Sequence, residues 1–164
     1  MKKIGIIGGT FDPVHYGHLI LAEQARAEVS LDQVVFMPAK VQPFKLNVKI
    51  TGTEHRYAML REAVAGNPYF SVSRKELDSP KISFTINTLK ECRAELGAGT
   101  ELYFIIGTDA FLNLESWYAA EDLLEGYRVM DALSSYEFYK RGLVAPPVPA
   151  NNHIQPFIDN GVPD

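Results

Sequence analysis

KKIGIIGGTFDPVHYGHL, residues Lys2–Leu19, carries the features from which the rest of the chain can be read. Ile4, Ile6 and Ile7 form a short β-branched run that stops at Gly8 and Gly9. Such a nearly continuous apolar run predicts a strand buried on both faces, as in a parallel sheet. From Gly17 the pattern turns helical, with Leu21, Ala25 and Val29 recurring every four residues. Strand, Gly-Gly turn and helix in this order describe the first half of a βαβ unit.

The alternation continues. QVVFMPA (Gln33–Ala39) predicts a second strand, and TGTEHRYAMLREAVA (Thr51–Ala65) a second helix with Thr51 and Glu54 in a capping box. YFSVS (Tyr69–Ser73) predicts a third strand. SFTINTLKECRAEL (Ser83–Leu96) predicts a third helix with Ile86, Leu89 and Leu96 on one side. ELYFIIG (Glu101–Gly107) predicts a fourth strand, AAEDLLE (Ala119–Glu125) a further helix, and YRVMDAL (Tyr127–Leu133) a weak last strand. The fold class expected is α/β, a Rossmann-like doubly wound parallel sheet in a single domain over 1–164. Its last part is expected to be shortened or irregular, because LVAPPVPANNHIQP (Leu143–Pro156) is too rich in proline for helix or central strand.

The 164 residues are 46% apolar and 22% charged, with net charge −4. These values suit a globular domain and speak against a general nucleic-acid binder. The lone cysteine, Cys92, excludes an internal disulfide and suits a reducing cytoplasm. Two lysines and a few apolar residues before Gly8 make neither a signal peptide nor a membrane span.

In an open α/β sheet, ligands bind beyond the carboxyl ends of the strands. Gly8 and Gly9 stand there, and the next helix offers free N–H groups and a positive dipole end to an anion. The stretch is neither G-x-G-x-x-G nor a P-loop. His15 and His18, at i, i+3, fall on one helix face, where both imidazoles could meet one anion. The plainer alternative is that they cap or pack. Zinc is a poor fit, for want of third and fourth ligands. Cys92 reads as a packing residue, and His55 and Arg56 as structural residues of a helix start.

GGTFDPVHYGH (Gly8–His18) resembles the signature of the nucleotidyltransferase superfamily with an H/T-x-G-H motif. LDQVVFMPAKVQPFK, EHRYAMLREAV, SFTINTL and YFIIGTDAFLNLESWY follow in order and resemble bacterial nicotinate-nucleotide adenylyltransferases, the likeness covering residues 2 to 125. The resemblance implies transfer of the adenylyl group of ATP to nicotinate mononucleotide, giving deamido-NAD and pyrophosphate, with Mg²⁺ bound to the ATP. It implies His15, His18 and Lys45 as the catalytic charge stabilisers, His18 foremost at the α-phosphate. ATP would be held by Gly8, Gly9, Thr10, Phe11, Gly107, Asp109, Ser134 and Ser135, and the nicotinate nucleotide by Thr85, Trp117 and Tyr118. No protein-held metal, nucleic acid or membrane partner is implied, and a homo-oligomer stays open.

Two departures stand out. The family's I-S-S-T-x-x-R motif has its only counterpart in LSSYEFYKR (Leu133–Arg141), where Ser134 and Ser135 match but Tyr136 and Tyr139 replace the threonine and the arginine. Fewer residues separate Leu124 from Ser134 than the resemblance implies, so the tail from 126 onward is expected to diverge. Two other functions remain beside adenylyl transfer to nicotinate mononucleotide. One is another adenylyltransferase such as the pantetheine-phosphate enzyme, which typically has threonine where His15 stands. The other is a nucleotide-binding module that has lost turnover with its C-terminal motif.

Overall fold

The computed structural model describes residues 1–40 and 49–132. Within them the elements run β1 (Lys2–Gly9), α1 (Tyr16–Val29), β2 (Gln33–Pro38), α2 (Thr53–Val64), β3 (Phe70–Val72), α3 (Lys75–Asp78) and α4 (Thr85–Leu96). Then come β4 (Thr100–Gly107), α5 (Thr108–Leu112), a 3₁₀ turn (Leu114–Ser116), α6 (Ala120–Gly126) and β5 (Arg128–Ala132). The strands form one sheet in the order β3-β2-β1-β4-β5, and every neighbouring pair is parallel. The expected doubly wound α/β sheet is therefore present, and the weak signal at Tyr127–Leu133 contains a paired strand, Arg128–Ala132.

Side chains alternate between the two faces, and both faces are covered. Ile7, Val34, Phe36, Tyr103 and Ile105 meet Leu21, Ala22 and Ala25 of α1 and Leu60 and Val64 of α2. Ile4, Ile6, Met37, Leu102, Phe104 and Ile106 meet Ile86, Leu89 and Cys92 of α4, with Leu114 and Leu123. The continuous apolar runs of β1 and β4 have this cause: each successive residue enters one of two cores.

Two local expectations need correction. The capping box at Thr51 does not form, because Gly52 takes the N-cap position of α2. The Thr51 N–H instead donates to Asp12 Oδ2 at 2.8 Å, and the Glu54 carboxylate accepts from Arg74 at 2.8 and 3.1 Å. Leu96 does not join Ile86 and Leu89 in the core. It lies at the last residue of α4 and is 43% exposed, whereas Cys92, one turn earlier, is buried. Among the described residues, no helix is long and apolar enough to cross a membrane.

Candidate active site

The strand order puts β1 beside β4, and the chain leaves these two strands in opposite directions, to β2 and β5. The two stay paired as far as Ile7 opposite Ile105. Beyond that level, Gly8 and Gly9 continue only along β2, opposite Met37 and Pro38. Ile106 and Gly107 continue only along β5, opposite Asp131 and Ala132. A crevice opens between the carboxyl ends of β1 and β4, where an open α/β sheet binds its ligand.

Each wall carries a glycine with room in front of it. A Cβ on Gly107 would meet nothing within 4 Å, and one on Gly8 would reach only ordinary contact with the Phe104 ring at 3.7 Å. Gly8 is exposed. Their lack of side chains leaves backbone open to a ligand rather than relieving a clash. Gly9 differs: a Cβ there would press on the Phe11 ring at 3.2 Å. Phe11 has φ 48° and is buried, its ring edge-on to His18 at 4.9 Å and tilted on Phe36 at 5.8 Å. A ligand at this point can meet Phe11 only through its backbone, while its ring braces His18. Thr10 is buried as well, and its carbonyl accepts from Arg56 Nη1 at 2.7 Å.

His15 is the N-cap residue of α1, with φ −143° and ψ 171°, and His18 is the third residue of the helix. The His15 N–H donates to His18 Nδ1 at 3.2 Å. An accepting Nδ1 puts the proton of the neutral ring on Nε2, which is then a donor. The two imidazoles stack at 3.8 Å with planes 27° apart. The i, i+3 spacing thus brings both rings together, as expected from the sequence. Gly17 has a role that the sequence did not disclose: a Cβ there would stand 2.9 Å from His15 Nδ1. The first turn of α1 holds no acidic residue, and neither does that of α4, so their dipoles stay available to an anion.

On the other face of the sheet, α4 begins at Thr85 after the N-cap residue Phe84. The Tyr118 ring packs on Phe84 at 4.8 Å and is 62% exposed. Thr85 and Tyr118, read together from the sequence, are therefore joined through Phe84. Phe84 itself was missed, although it lies inside the quoted SFTINTL stretch. Trp117 turns away from Tyr118. It is half-buried and edge-on to Phe104 at 6.0 Å, packed on the core beneath α4. Asp109 is the second residue of α5, whose N-cap position is held by Gly107. Lys45, Ser134 and Ser135 lie outside the described residues, as do Tyr136, Tyr139 and His153.

The residue most deeply tied to the site is one the sequence assigned only a local structural role. Arg56 is 1% exposed, and its guanidinium donates to Thr51 O at 2.9 Å, Thr10 O at 2.7 Å and Ala39 O at 2.8 Å. Burial pushes its pKa down from the ordinary arginine value, and the Asp12 carboxylate opposes that. The readable signal was its position on the core side of α2, one turn before Leu60. Cys92 is the packing residue expected, and burial raises its thiol to about 11. Among the described residues, no group of three or more His, Cys, Asp or Glu gathers to hold a metal ion.

Comparison with known proteins agrees with the motifs. A probable nicotinate-nucleotide adenylyltransferase of Thermoanaerobacter sp. (strain X514) is 47% identical over 123 residues, covering 75% of this chain and 58% of the relative. One of Moorella thermoacetica is 48% identical over 122 residues, covering 74% of this chain and 56% of the relative. The chain thus spans less than two thirds of the length of either. A solved structure of Plasmodium falciparum nicotinic acid mononucleotide adenylyltransferase, complexed with NaAD, superposes with TM-score 0.69 at 21% identity, covering 92% of this chain and 78% of that one. At that identity the likeness speaks to the fold, the parallel sheet described above. The cytidylyltransferase-like family matches residues 6–155, nearly the whole chain, and to that family this protein belongs.

Proposed function

We propose that the chain transfers the adenylyl group of ATP to nicotinate mononucleotide, releasing pyrophosphate. The observation that carries this is the stacked His15–His18 pair at the N-terminus of α1, beside the crevice where β1 and β4 part. The mononucleotide phosphate attacks the α-phosphorus of ATP. A new P–O bond forms as the bond to the β-phosphate breaks, and the electron pair leaves with pyrophosphate. The attacking oxygen is already anionic at neutral pH, so the site needs no general base. It needs positioning and a counterweight to negative charge.

The residues fit that demand. Gly8 and Gly107 let backbone approach the nucleotide, Gly9 is assigned to it on resemblance, and the first N–H groups of α1 face its phosphates. His18 donates from Nε2 toward the α-phosphate, and His15 lies stacked beside it. The nucleotide enters as its Mg²⁺ complex, the cation held more by phosphate oxygens and water than by protein. Lys45, Asp109, Ser134 and Ser135 are assigned to the phosphates and the ATP ribose on resemblance. The pyridine carboxylate fits the free N–H groups opening α4 and the Thr85 hydroxyl, with the Tyr118 ring supplying aromatic surface and Trp117 assigned on resemblance. An amide NH₂ facing those donors would be mismatched, so the acid is the preferred substrate. The relatives named above, at 47% and 48% identity, bear names that describe the same activity.

The test is direct. The protein is given ATP, Mg²⁺ and nicotinate mononucleotide, and pyrophosphate is followed. Release is expected with the nicotinate nucleotide and much less with the nicotinamide one. ATP binding without release would leave a nucleotide-binding module. Release only with pantetheine phosphate would assign a different acceptor.

A further inference from the structure

Arg56 stands on α2, away from the crevice, yet its hydrogen bonds converge on the segments that build it. One goes to Thr10, which follows β1 and begins the turn to His15. One goes to Ala39, just past β2, whose own N–H donates to Gly9 O at 2.8 Å. The third goes to Thr51, and the Thr51 N–H donates to Asp12 in the same turn. The turn is thus held twice, at the Thr10 carbonyl directly and at Asp12 through Thr51. Phe11 lies between these two tethers, and its ring braces His18. All three of its hydrogen bonds go to backbone carbonyls, and the Asp12 carboxylate in the same turn adds a favourable charge interaction. Only arginine has a planar fork of donors that can serve three carbonyls diverging in space. An ammonium group on a single stem cannot meet all of them, and an apolar residue would leave buried acceptors unpaired.

We propose that Arg56 is a positioning residue for the Gly8–His18 turn: by clamping Thr10, Ala39 and Thr51 it sets the place of the Phe11 ring and, through it, of His18. The inference deepens the adenylyl-transfer reading, and its first test does not depend on that reading. Native-state hydrogen exchange is measured on the full chain without nucleotide, for wild type, Arg56→Lys, Arg56→Met and Leu60→Ala. Leu60 is fully buried on the same helix, in the core that also holds Phe11, so its variant controls for general loss of that core. In both Arg56 variants, protection over residues 8–18 is expected to fall about tenfold to a hundredfold. Protection over 100–107 should hold, and Leu60→Ala should not reproduce that selectivity. The second test is kinetic: kcat/KM for ATP falls with the protection, while KM for nicotinate mononucleotide stays. If wild type releases no pyrophosphate, the transfer reading fails and the exchange result still judges Arg56. Unchanged protection over 8–18 overturns the proposal. So does full rescue by lysine, equal selectivity in Leu60→Ala, or joint loss over both regions, which marks a general fold residue.

Discussion

At the start of α1 the need for glycine is steric rather than conformational. Gly97 is the only described glycine with positive φ, so Gly17 has a backbone that alanine can adopt. What excludes a Cβ at Gly17 is the His15 ring lying over it. Two opposite effects are therefore expected of Gly17→Ala. Helix propensity favours alanine by up to ~1 kcal/mol, so the melting temperature should hold or rise. The His15–His18 stack must shift, and a misplacement on the ångström scale lowers turnover by about tenfold to a hundredfold. Thermal melts and pyrophosphate release on the same preparation check both halves. Unchanged kcat/KM would show that the stacked geometry is dispensable. His18→Ala removes the donor itself, and a loss of ~10²–10³ in kcat is expected. Its stability should fall by only about 1 kcal/mol, for the lost hydrogen bond from His15. The presence of these histidines and their common face were legible, because i, i+3 spacing is a property of any helix. The reason for the glycine between them was not, because a ring folding back over its own helix start leaves no periodic trace.

Among the elements, α4 is seated by α3, a helix too short to be visible in the sequence. The Thr88 hydroxyl donates to Glu76 Oε1, and Lys75 pairs with Glu91 and Glu95. These contacts join the two helices just behind the opening turn of α4, where the pyridine carboxylate is proposed to bind. Burial raises the Glu76 carboxyl above its ordinary 4.5, more than the Thr88 hydroxyl lowers it. A raised folded-state value means that the folded protein holds this proton more tightly than the unfolded chain. The stabilisation is complete below pH 4.5 and is lost as pH rises through the folded-state value. Glu76→Gln keeps an acceptor for Thr88 and removes the titration. The melting temperature of the variant relative to wild type should therefore rise between pH 4 and pH 7, and an equal offset at both pH values would refute the account. Helix α2 shows how tertiary contacts override a local motif. Asp12 claims the Thr51 N–H and Arg74 claims Glu54, so neither partner remains for a capping box.

For the whole molecule, the sheet separates two cores that share only backbone. Ile105 lies in the core beneath α1 and α2, and Ile86 in the core beneath α4. Ile105→Val and Ile86→Val are each expected to cost ~0.5–1.5 kcal/mol. With no shared side-chain neighbours, the double variant should add within about 0.5 kcal/mol in urea unfolding. A larger coupling would mean that the sheet transmits strain between its faces. The order of strands follows from the same layering. Alternating strand and helix signals made parallel β1, β2 and β4 readable, and continuous apolar runs showed that both faces were covered. The outer strands carried less signal. β3 is only half-buried, and β5 pairs with a single neighbour, so each has a weaker apolar pattern.

By itself the sequence determined the α/β class, the glycine-ended strands, the shared face of His15 and His18, and the packing role of Cys92. These rest on local spacing, whose periods of two and 3.6 residues are written along the chain. Only the tertiary structure decided what residues far apart do for one another. It joined Thr10, Ala39 and Thr51 on Arg56, seated Tyr118 on Phe84 beside Thr85, and opened the crevice by sending β1 toward β2 and β4 toward β5. Contacts of this kind depend on where the folded sheet places each segment, so no repeat or spacing along the chain announces them.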